Sequence, residues 1–213
     1  MNKKIGIVGW KVGENSFGVT VPYAEYLSRL GELVIIHPNQ DIIKDLDLLV
    51  LPGGADVDPT RYGQEPSLYT GNPNIILEYF DKFKLPKYIE LGTNILGICR
   101  GMQSLAVTFG ASLIQEIGAH EYSTKSRSDL VHKVFIEDED FPVEFTKKGT
   151  KGKYIETNSL HHQAVDESSI IKTPIKITGK TEDGTVEMIR IGSNIVGVQY
   201  HPKILGLLSV MIK

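Results

Sequence analysis

The predicted fold depends first on one stretch of the sequence, Leu96-Gly97-Ile98-Cys99-Arg100-Gly101-Met102-Gln103. An apolar run over residues 95–98 indicates a buried strand, and the apolar residues that follow recur at helical spacing. Those residues are Met102, Leu105, Ala106 and Phe109. Cys99 therefore lies at a strand-to-helix turn, with Gly97 and Gly101 two residues away on either side. Gly-x-Cys-x-Gly is the pattern of a nucleophile elbow, in which a sharp, strained turn lifts the central side chain out of the sheet.

The elbow makes Cys99 a candidate nucleophile. At the start of a helix, the macrodipole and the free N–H groups favour a thiolate. A buried structural cysteine in an ordinary strand is the alternative interpretation. The glycine spacing and the strand–helix context together favour the nucleophile.

The other apolar runs predict the rest of the architecture. Strands are predicted at 5–9, 33–36, 47–51, 175–179, 186–191 and 195–199, and helices at 21–30 and 74–88 with an interruption at Pro86. Residues 13–18 are predicted as a loop. Nearly all-apolar strands that alternate with helices indicate an α/β fold, a parallel sheet covered on both faces. With no internal repeat and no linker, residues 1–213 are predicted to form a single domain.

Composition limits the classes of function. The chain has 213 residues and a formal net charge of -3, so no global charge attracts it to nucleic acid or an acidic membrane. Its single cysteine excludes an intramolecular disulfide and suits a reducing compartment. The N-terminal segment is too short for a signal peptide and no stretch approaches membrane-spanning length, so we expect a cytoplasmic protein. No convincing metal-ligand spacing occurs, and we expect no metal or other cofactor.

A cysteine hydrolase needs a base and an oxyanion site. His201 follows the predicted strand at 196–200 and so lies at the carboxyl end of a strand, where open parallel sheets bind their ligands, as Cys99 does. Pro52-Gly53-Gly54 ends another strand, and its backbone could donate an N–H to an oxyanion together with the N–H of Arg100. A structural histidine and a simple tight turn are the alternative interpretations.

Four stretches occur in the order seen in class I glutamine amidotransferase-like proteins, which the sequence resembles. They are Leu51-Pro52-Gly53-Gly54, Gly97-Ile98-Cys99-Arg100-Gly101-Met102-Gln103, Asn158-Ser159-Leu160-His161-His162-Gln163 and Gly197-Val198-Gln199-Tyr200-His201-Pro202. The run from Pro52 to Pro59, followed by Tyr62-Gly63, is similar to the gamma-glutamyl hydrolase branch. Asp183-Gly184 with Glu187 is similar to the same branch.

The resemblance implies a flavodoxin-like fold, a mostly parallel sheet with helices on both faces, and a Cys–His–Glu triad. Cys99 would attack the amide carbon of a gamma-glutamyl group, and His201 would carry the proton to the leaving nitrogen. Gly54 and Arg100 would supply the oxyanion N–H groups. Water would then release glutamate from the thioester.

The resemblance also implies a pocket and a substrate class. Gln103 would lie beside the glutamyl group, and His161 and Gln163 would line the pocket; an ordinary helix residue and solvated loop residues are the alternatives. The implied substrate is a small gamma-glutamyl conjugate, such as gamma-glutamyl-gamma-aminobutyrate or, in view of the compact chain, the capsule-biosynthesis intermediate gamma-glutamyl-CDP-amidate. The oligomeric state is left open.

The sequence departs from the family pattern at Lys203, where His-Pro-Glu is usual. An ammonium about 4 Å from the imidazole of His201 would disfavour the imidazolium by about 4 kcal/mol at an effective dielectric constant near 20. Three alternatives follow. The Lys203 side chain points away from His201 while a carboxylate from elsewhere in the chain orients the imidazole, or Cys99 and His201 act as a dyad without a carboxylate, or the protein is a weak catalyst.

Two rival functions follow. The first is a glutaminase subunit that supplies ammonia to a partner synthase. The second is a non-catalytic binding or regulatory protein, which Lys203 keeps open although Cys99 and His201 are both present.

We predict that Lys203→Ala retains most of the activity and that Lys203→Glu equals or exceeds wild type, because a lysine in an active enzyme cannot face His201 at contact distance. Steady-state rates of the three proteins test this. A loss of more than about 10²-fold in Lys203→Ala, roughly 2.7 kcal/mol of barrier, would contradict it.

Overall fold

Strands and helices alternate along the first half of the chain. The computed structural model describes residues 3–118, 129–138, 146–150 and 152–201. The helices are α1 (Val21–Leu27), α2 (Ile75–Phe83), α3 (Leu85–Glu90) and α4 (Arg100–Thr108), with 3-10 helices at Pro59–Tyr62 and Glu167–Lys172. The first strands are β1 (Lys4–Val8), β2 (Trp10–Gly13), β3 (Ser16–Gly18), β4 (Glu32–Ile36), β5 (Leu48–Leu51), β6 (Ile95–Ile98) and β7 (Leu113–Ile114). The later strands are β8 (His132–Ile136), β9 (Lys147–Gly149), β10 (Gly152–Thr157), β11 (Ala164–Val165), β12 (Ile175–Lys180), β13 (Val186–Ile191) and β14 (Ile195–Val198).

The central sheet has a parallel half and an antiparallel half. Its strand order in the described residues is β4-β1-β5-β6-β14-β13-β12-β8-β10-β9. The pairs from β4 to β14 are all parallel, and those from β14 to β9 are all antiparallel. In the parallel half, β6 pairs with β14 in the register Ile98 to Val198. This register brings the carboxyl ends of both strands, and hence Cys99 and Gln199, to the same edge.

The strands of the parallel half are buried on both faces, which explains their continuous apolar sequences. Leu49 and Leu51 of β5 pack into a cluster with the apolar residues of α2, α3 and α4. Leu48 and Val50 belong to a second cluster, which includes Leu27 of α1. The helices therefore cover opposite faces of the sheet. The predicted α/β, flavodoxin-like architecture is confirmed.

The structure differs in detail from two local predictions. The helical pattern over 74–88 is divided at Lys84, and Pro86 lies in the first turn of α3, where a missing N–H costs nothing. The loop predicted at 13–18 is wrong in part, because β2 and β3 form a hairpin there. The ring of Phe17 in β3 packs against the backbone of Gly9, a tertiary contact that the local sequence does not reveal.

Other predictions are not decided by the fold. Lys203 lies outside the described residues, and the single domain over residues 1–213 stays a prediction. In the parts of the chain that the structure describes, no helix is both long and apolar enough to cross a membrane.

The elbow glycines allow β6, α4 and β5 to approach closely. A Cβ at Gly97 would lie 2.6 Å from the carbonyl carbon of Gly101, and one at Gly101 would lie 2.8 Å from the carbonyl carbon of Leu51 and overlap its oxygen. Real Cβ atoms do not approach backbone so closely. Neither position can carry a side chain unless α4 moves away from the sheet.

We predict that Gly101→Ala lowers the free energy of unfolding by about 3 kcal/mol or more, the upper range for overpacking, because the obstacle is backbone and cannot rotate away. Urea denaturation measures the change. Gly13→Ala is the matched control, since a Cβ there would meet Ser16 at an ordinary 3.6 Å. Equal stabilities of the two variants would contradict this packing.

Candidate active site

Cys99 has the backbone of a nucleophile elbow. Its φ of 52° and ψ of -110° place it in a strained region, and it is the one non-glycine residue with positive φ in the described ranges. Such strain costs about 1–3 kcal/mol and persists only where the surroundings enforce it. Here the Cys99 N–H donates to the carbonyl oxygen of Val198 at 2.7 Å, and α4 begins at Arg100.

The electrostatics of the sulfur differ from the expectation based on the helix N-terminus. Burial raises the pKa of the Cys99 thiol to about 12, although the N–H of Arg100 and the side-chain amide of Gln199 lower it. The carboxylates of Glu187 and Asp56 raise the pKa further. Desolvation thus outweighs the helix dipole at this sulfur and favours the neutral thiol, in contrast to the thiolate expected from the helix start. Attack by this sulfur needs a base that accepts its proton.

The base candidate His201 is held through its backbone. Asn158 accepts a hydrogen bond from the His201 N–H at 2.9 Å and donates to the His201 carbonyl oxygen at 3.1 Å. The ring lies against the Pro-Gly-Gly loop, since a Cβ at Gly53 would be 2.6 Å from its Cε1 and 3.2 Å from its Nε2. Gly53 thus provides the space that the imidazole occupies.

The same loop supplies one of the two predicted oxyanion donors. The N–H of Gly53 donates to Tyr23 Oη at 2.8 Å, which leaves the exposed Gly54 as the glycine whose amide is the candidate donor. A Cβ at Gly54 would be 3.4 Å from Cδ of Arg100, so the two predicted donors belong to adjacent segments. Burial raises the pKa of Tyr23, which stays a neutral phenol.

A buried charge cluster fixes the two segments together. The Arg100 guanidinium lies 2.7 Å from Asp81 and also pairs with Glu78, both on α2. Arg61 adds contacts of 3.1 Å to Asp81 and 3.3 Å to Glu78. Glu78 also accepts a hydrogen bond from the backbone N–H of Asp58 at 3.2 Å. The cluster therefore ties α4, α2 and the segment after the Pro-Gly-Gly loop into one unit, and it directs the side chain of Arg100 towards α2.

Three buried glutamines form a hydrogen-bonded network next to the elbow. Gln103 Nε2 donates to the carbonyl oxygen of Gln163 at 3.1 Å and to Oε1 of Gln199 at 3.2 Å. All three side chains are at most 3% exposed. Gln103 thus connects α4 with the end of β14 and the segment before β11.

A buried acid–base pair lies close by. Glu187 is fully buried, and its Oε1 is 3.2 Å from Nε2 of His161, whose Nδ1 lies 3.0 Å from the carbonyl oxygen of Gln163. Both ring nitrogens of His161 therefore face oxygen atoms, one of a carboxylate and one of a backbone carbonyl. His132 lies 3.8 Å from the other carboxylate oxygen.

Another histidine, His162, lies between two acidic side chains. Nε2 of His162 lies 3.1 Å from Asp56, and its Nδ1 lies 3.0 Å from Glu116. Asp56 also accepts a hydrogen bond from the N–H of Gly71 at 2.7 Å. These contacts join four segments of the chain, those that carry Asp56, Gly71, Glu116 and His162. In the described ranges, no group of three or more His, Cys, Asp or Glu side chains is arranged to hold a metal ion.

The structure brings the predicted residues to one edge of the sheet. Cys99, Gly54, Arg100 and His201 lie around the elbow, and Gln103, His161 and Gln163 form a buried network beside it. Contact of these three with substrate stays a prediction.

Sequence reasoning assigned no role in the site to four residues: Tyr23, Asn158, Glu187 and Gln199. Asn158 and Gln199 belong to the quoted motifs, so their positions within those motifs were a usable signal. The burial of Glu187 and the hydrogen bond of Tyr23 depend on tertiary contacts.

Comparison with known proteins defines the class. Residues 14–203 match the Peptidase C26 family, and the chain belongs to it. It is 31% identical over 194 residues to "Putative glutamine amidotransferase-like protein YvdE" of Lactococcus lactis subsp. lactis (strain IL1403), covering 85% of this chain and 78% of that protein. The predicted resemblance to class I glutamine amidotransferase-like proteins is thereby confirmed, and membership is consistent with amide hydrolysis.

More distant similarities support the fold and leave the branch open. "Gamma-glutamyl-gamma-aminobutyrate hydrolase PuuD" of Escherichia coli (strain K12) is 25% identical over 211 residues, covering 85% of this chain and 76% of that protein. The solved structure of a "putative gmp synthase subunit a protein" from Thermoplasma acidophilum superposes with a TM-score of 0.65 at 21% identity, covering 100% of this chain and 93% of that one. The gamma-glutamyl hydrolase branch stays a prediction.

We predict that Asn158→Ala lowers kcat for amide hydrolysis at least tenfold with a smaller change in KM, because both hydrogen bonds that hold the His201 backbone are lost. At about 1 kcal/mol for each bond, stability should fall by about 2 kcal/mol. Asn158→Asp keeps the acceptor and loses the donor, so its kcat should be intermediate. Steady-state kinetics and urea denaturation measure both effects, and a wild-type kcat in Asn158→Ala would contradict the positioning role.

Proposed function

We propose that this protein is a cysteine-dependent hydrolase that cleaves the gamma-glutamyl amide bond of a small-molecule conjugate. The observation that carries the proposal is the strained backbone of Cys99 at the start of α4, with the Arg100 N–H at its sulfur. The His201 ring on Gly53 adds a base candidate at the same edge of the sheet.

Acylation begins with proton transfer. The thiol proton of Cys99 passes to the His201 imidazole as the sulfur attacks the side-chain amide carbon of the glutamyl group, because the buried thiol does not ionise by itself at neutral pH. The carbonyl oxygen becomes an oxyanion that the N–H groups of Gly54 and Arg100 stabilise. The imidazolium then gives its proton to the leaving nitrogen, and the C–N bond breaks to leave a thioester.

Deacylation reverses the roles. Water attacks the thioester carbon and loses a proton to His201, and the same N–H groups hold the second oxyanion. When the C–S bond breaks, the proton returns to the Cys99 sulfur and glutamate is released. No step requires a metal or a redox partner.

The substrate class is supported by similarity. The E. coli relative bears the name of a gamma-glutamyl-gamma-aminobutyrate hydrolase, and the Pro52–Pro59 segment is similar to that branch. We include gamma-glutamyl-CDP-amidate of capsule biosynthesis among the candidate substrates because it also carries a gamma-glutamyl amide bond. The single cysteine must stay reduced to act, which is in keeping with a cytoplasmic location.

A second candidate is a glutaminase that supplies ammonia to a partner synthase. The more similar L. lactis relative, which is named glutamine amidotransferase-like, favours it. A catalytically weak homologue is the third candidate, because Lys203 stands where the family usually has glutamate.

The test is a panel of gamma-glutamyl amides that includes glutamine, gamma-glutamyl-gamma-aminobutyrate and gamma-glutamyl-CDP-amidate. We expect purified protein to release glutamate from one conjugate much faster than from glutamine, without a partner. Cys99→Ala should abolish turnover, and mass spectrometry of wild type should detect a glutamyl adduct on Cys99.

Each alternative has its own outcome. Turnover of glutamine alone, and only with an added synthase, would replace this proposal with the amidotransferase function. Absence of turnover and of adduct with every amide would replace it with the non-catalytic one. Near wild-type rates in Cys99→Ala would exclude Cys99 as the nucleophile.

A further inference from the structure

The side chain of Gln199 is fully buried next to the nucleophile and has no role in the mechanism above. It follows β14 directly, two residues before His201. Its Oε1 accepts a hydrogen bond from Gln103 Nε2 at 3.2 Å. Gln103 is held in turn, because the same nitrogen donates to the Gln163 carbonyl oxygen at 3.1 Å.

The Gln163 carbonyl fixes the orientation of both amides. A carbonyl oxygen can only accept, so Gln103 must present its nitrogen there. The Gln199 atom that contacts Gln103 Nε2 must then be the acceptor, the amide oxygen Oε1. The Nε2 of Gln199 is consequently turned away from Gln103. Gln199 and Cys99 directly follow the paired residues Val198 and Ile98, so they are neighbours at the same edge of the sheet, and the Gln199 amide lowers the pKa of the Cys99 thiol.

Within the described ranges, this amide nitrogen is a hydrogen-bond donor without an acceptor. Gln199 Nε2 is buried and has no acceptor in hydrogen-bond geometry among the residues that the structure describes. A buried donor without an acceptor is destabilising, and a neutral thiol is only a weak acceptor. A thiolate is a strong acceptor, so the donor is satisfied only as the sulfur gains negative charge.

We propose that Gln199 is a further catalytic residue, whose Nε2–H donates to the Cys99 sulfur as the thiol proton passes to His201, and that Gln103 is the positioning residue that aims it. Gln199 keeps both of its hydrogens; the only proton transferred is that of the thiol. The inference deepens the proposed hydrolase and rests on Cys99 being its nucleophile. It assigns Gln103 a role in orienting a protein group.

The test is the rate of Cys99 alkylation by iodoacetamide between pH 8 and 10, followed by mass spectrometry. With a single cysteine in the chain, no other thiol contributes. Only the thiolate reacts, and below the pKa its fraction falls tenfold for each unit by which the pKa rises. We expect Gln199→Met, which keeps the volume and removes the donor, to react about tenfold more slowly, and Gln103→Met to react more slowly by a smaller factor.

The effects of the two substitutions on the alkylation rate must also be coupled. If Gln103 acts through Gln199, adding Gln103→Met to Gln199→Met changes the rate no further. Asn194→Ala is the matched control, since Asn194 precedes β14 at its opposite end and donates to the carbonyl oxygens of Gly92 and Thr93. It removes amide hydrogen bonds from the same strand and should leave the alkylation rate unchanged.

The outcomes separate this inference from the proposed function. A folded Gln199→Met that reacts at the wild-type rate or faster overturns it, and independent effects of the two variants overturn the role of Gln103. If Gln199→Met does not fold, Gln199→Asn, whose shorter amide cannot reach the sulfur, should show the same slowing or the inference fails. Because alkylation needs no substrate, the expected rates in a protein that cleaves no gamma-glutamyl amide would refute the hydrolase and support the Gln199 contact.

Discussion

The close approach of α4 to the sheet is the constraint on which the site depends. Gly97 and Gly101 let the helix begin directly over β5 and β6, and the turn between them forces Cys99 to a φ of 52°. The strain is local, whereas the packing that holds it comes from both strands. Any outward movement of α4 would relax Cys99 and at the same time displace the Arg100 N–H from the sulfur.

The same packing favours the neutral form of the Cys99 thiol. Burial raises the pKa of Cys99 to about 12, and the nearby carboxylates of Glu187 and Asp56 add to the effect. A thiol in these surroundings resists both ionisation and unwanted oxidation, since the thiolate is the reactive form. In the proposed mechanism, proton transfer to His201 couples ionisation of the thiol to attack on the substrate carbonyl, as in serine hydrolases.

Buried polar groups around the elbow specify its geometry more than they stabilise the fold. Removing one partner from the cluster of Arg61, Glu78, Asp81 and Arg100 would leave an uncompensated buried charge, at a cost of about 3–5 kcal/mol. The Asn158 bonds to the His201 backbone act on a smaller scale. Each set joins segments that are distant in sequence, and each fixes one component of the site relative to the others.

The amino-acid sequence is sufficient to predict those elements whose pattern extends over only a few neighbouring residues. Apolar runs with a period of a strand or a helix gave β1, β4, β5, β6 and α4, and glycine spacing located Cys99, because sterics at a sharp turn act over a few residues. Three features emerge only from tertiary contacts: the burial of Glu187, the orientation of Gln199 and the raised pKa of Cys99. These depend on desolvation and on hydrogen bonds between segments up to 96 residues apart, which no local pattern records.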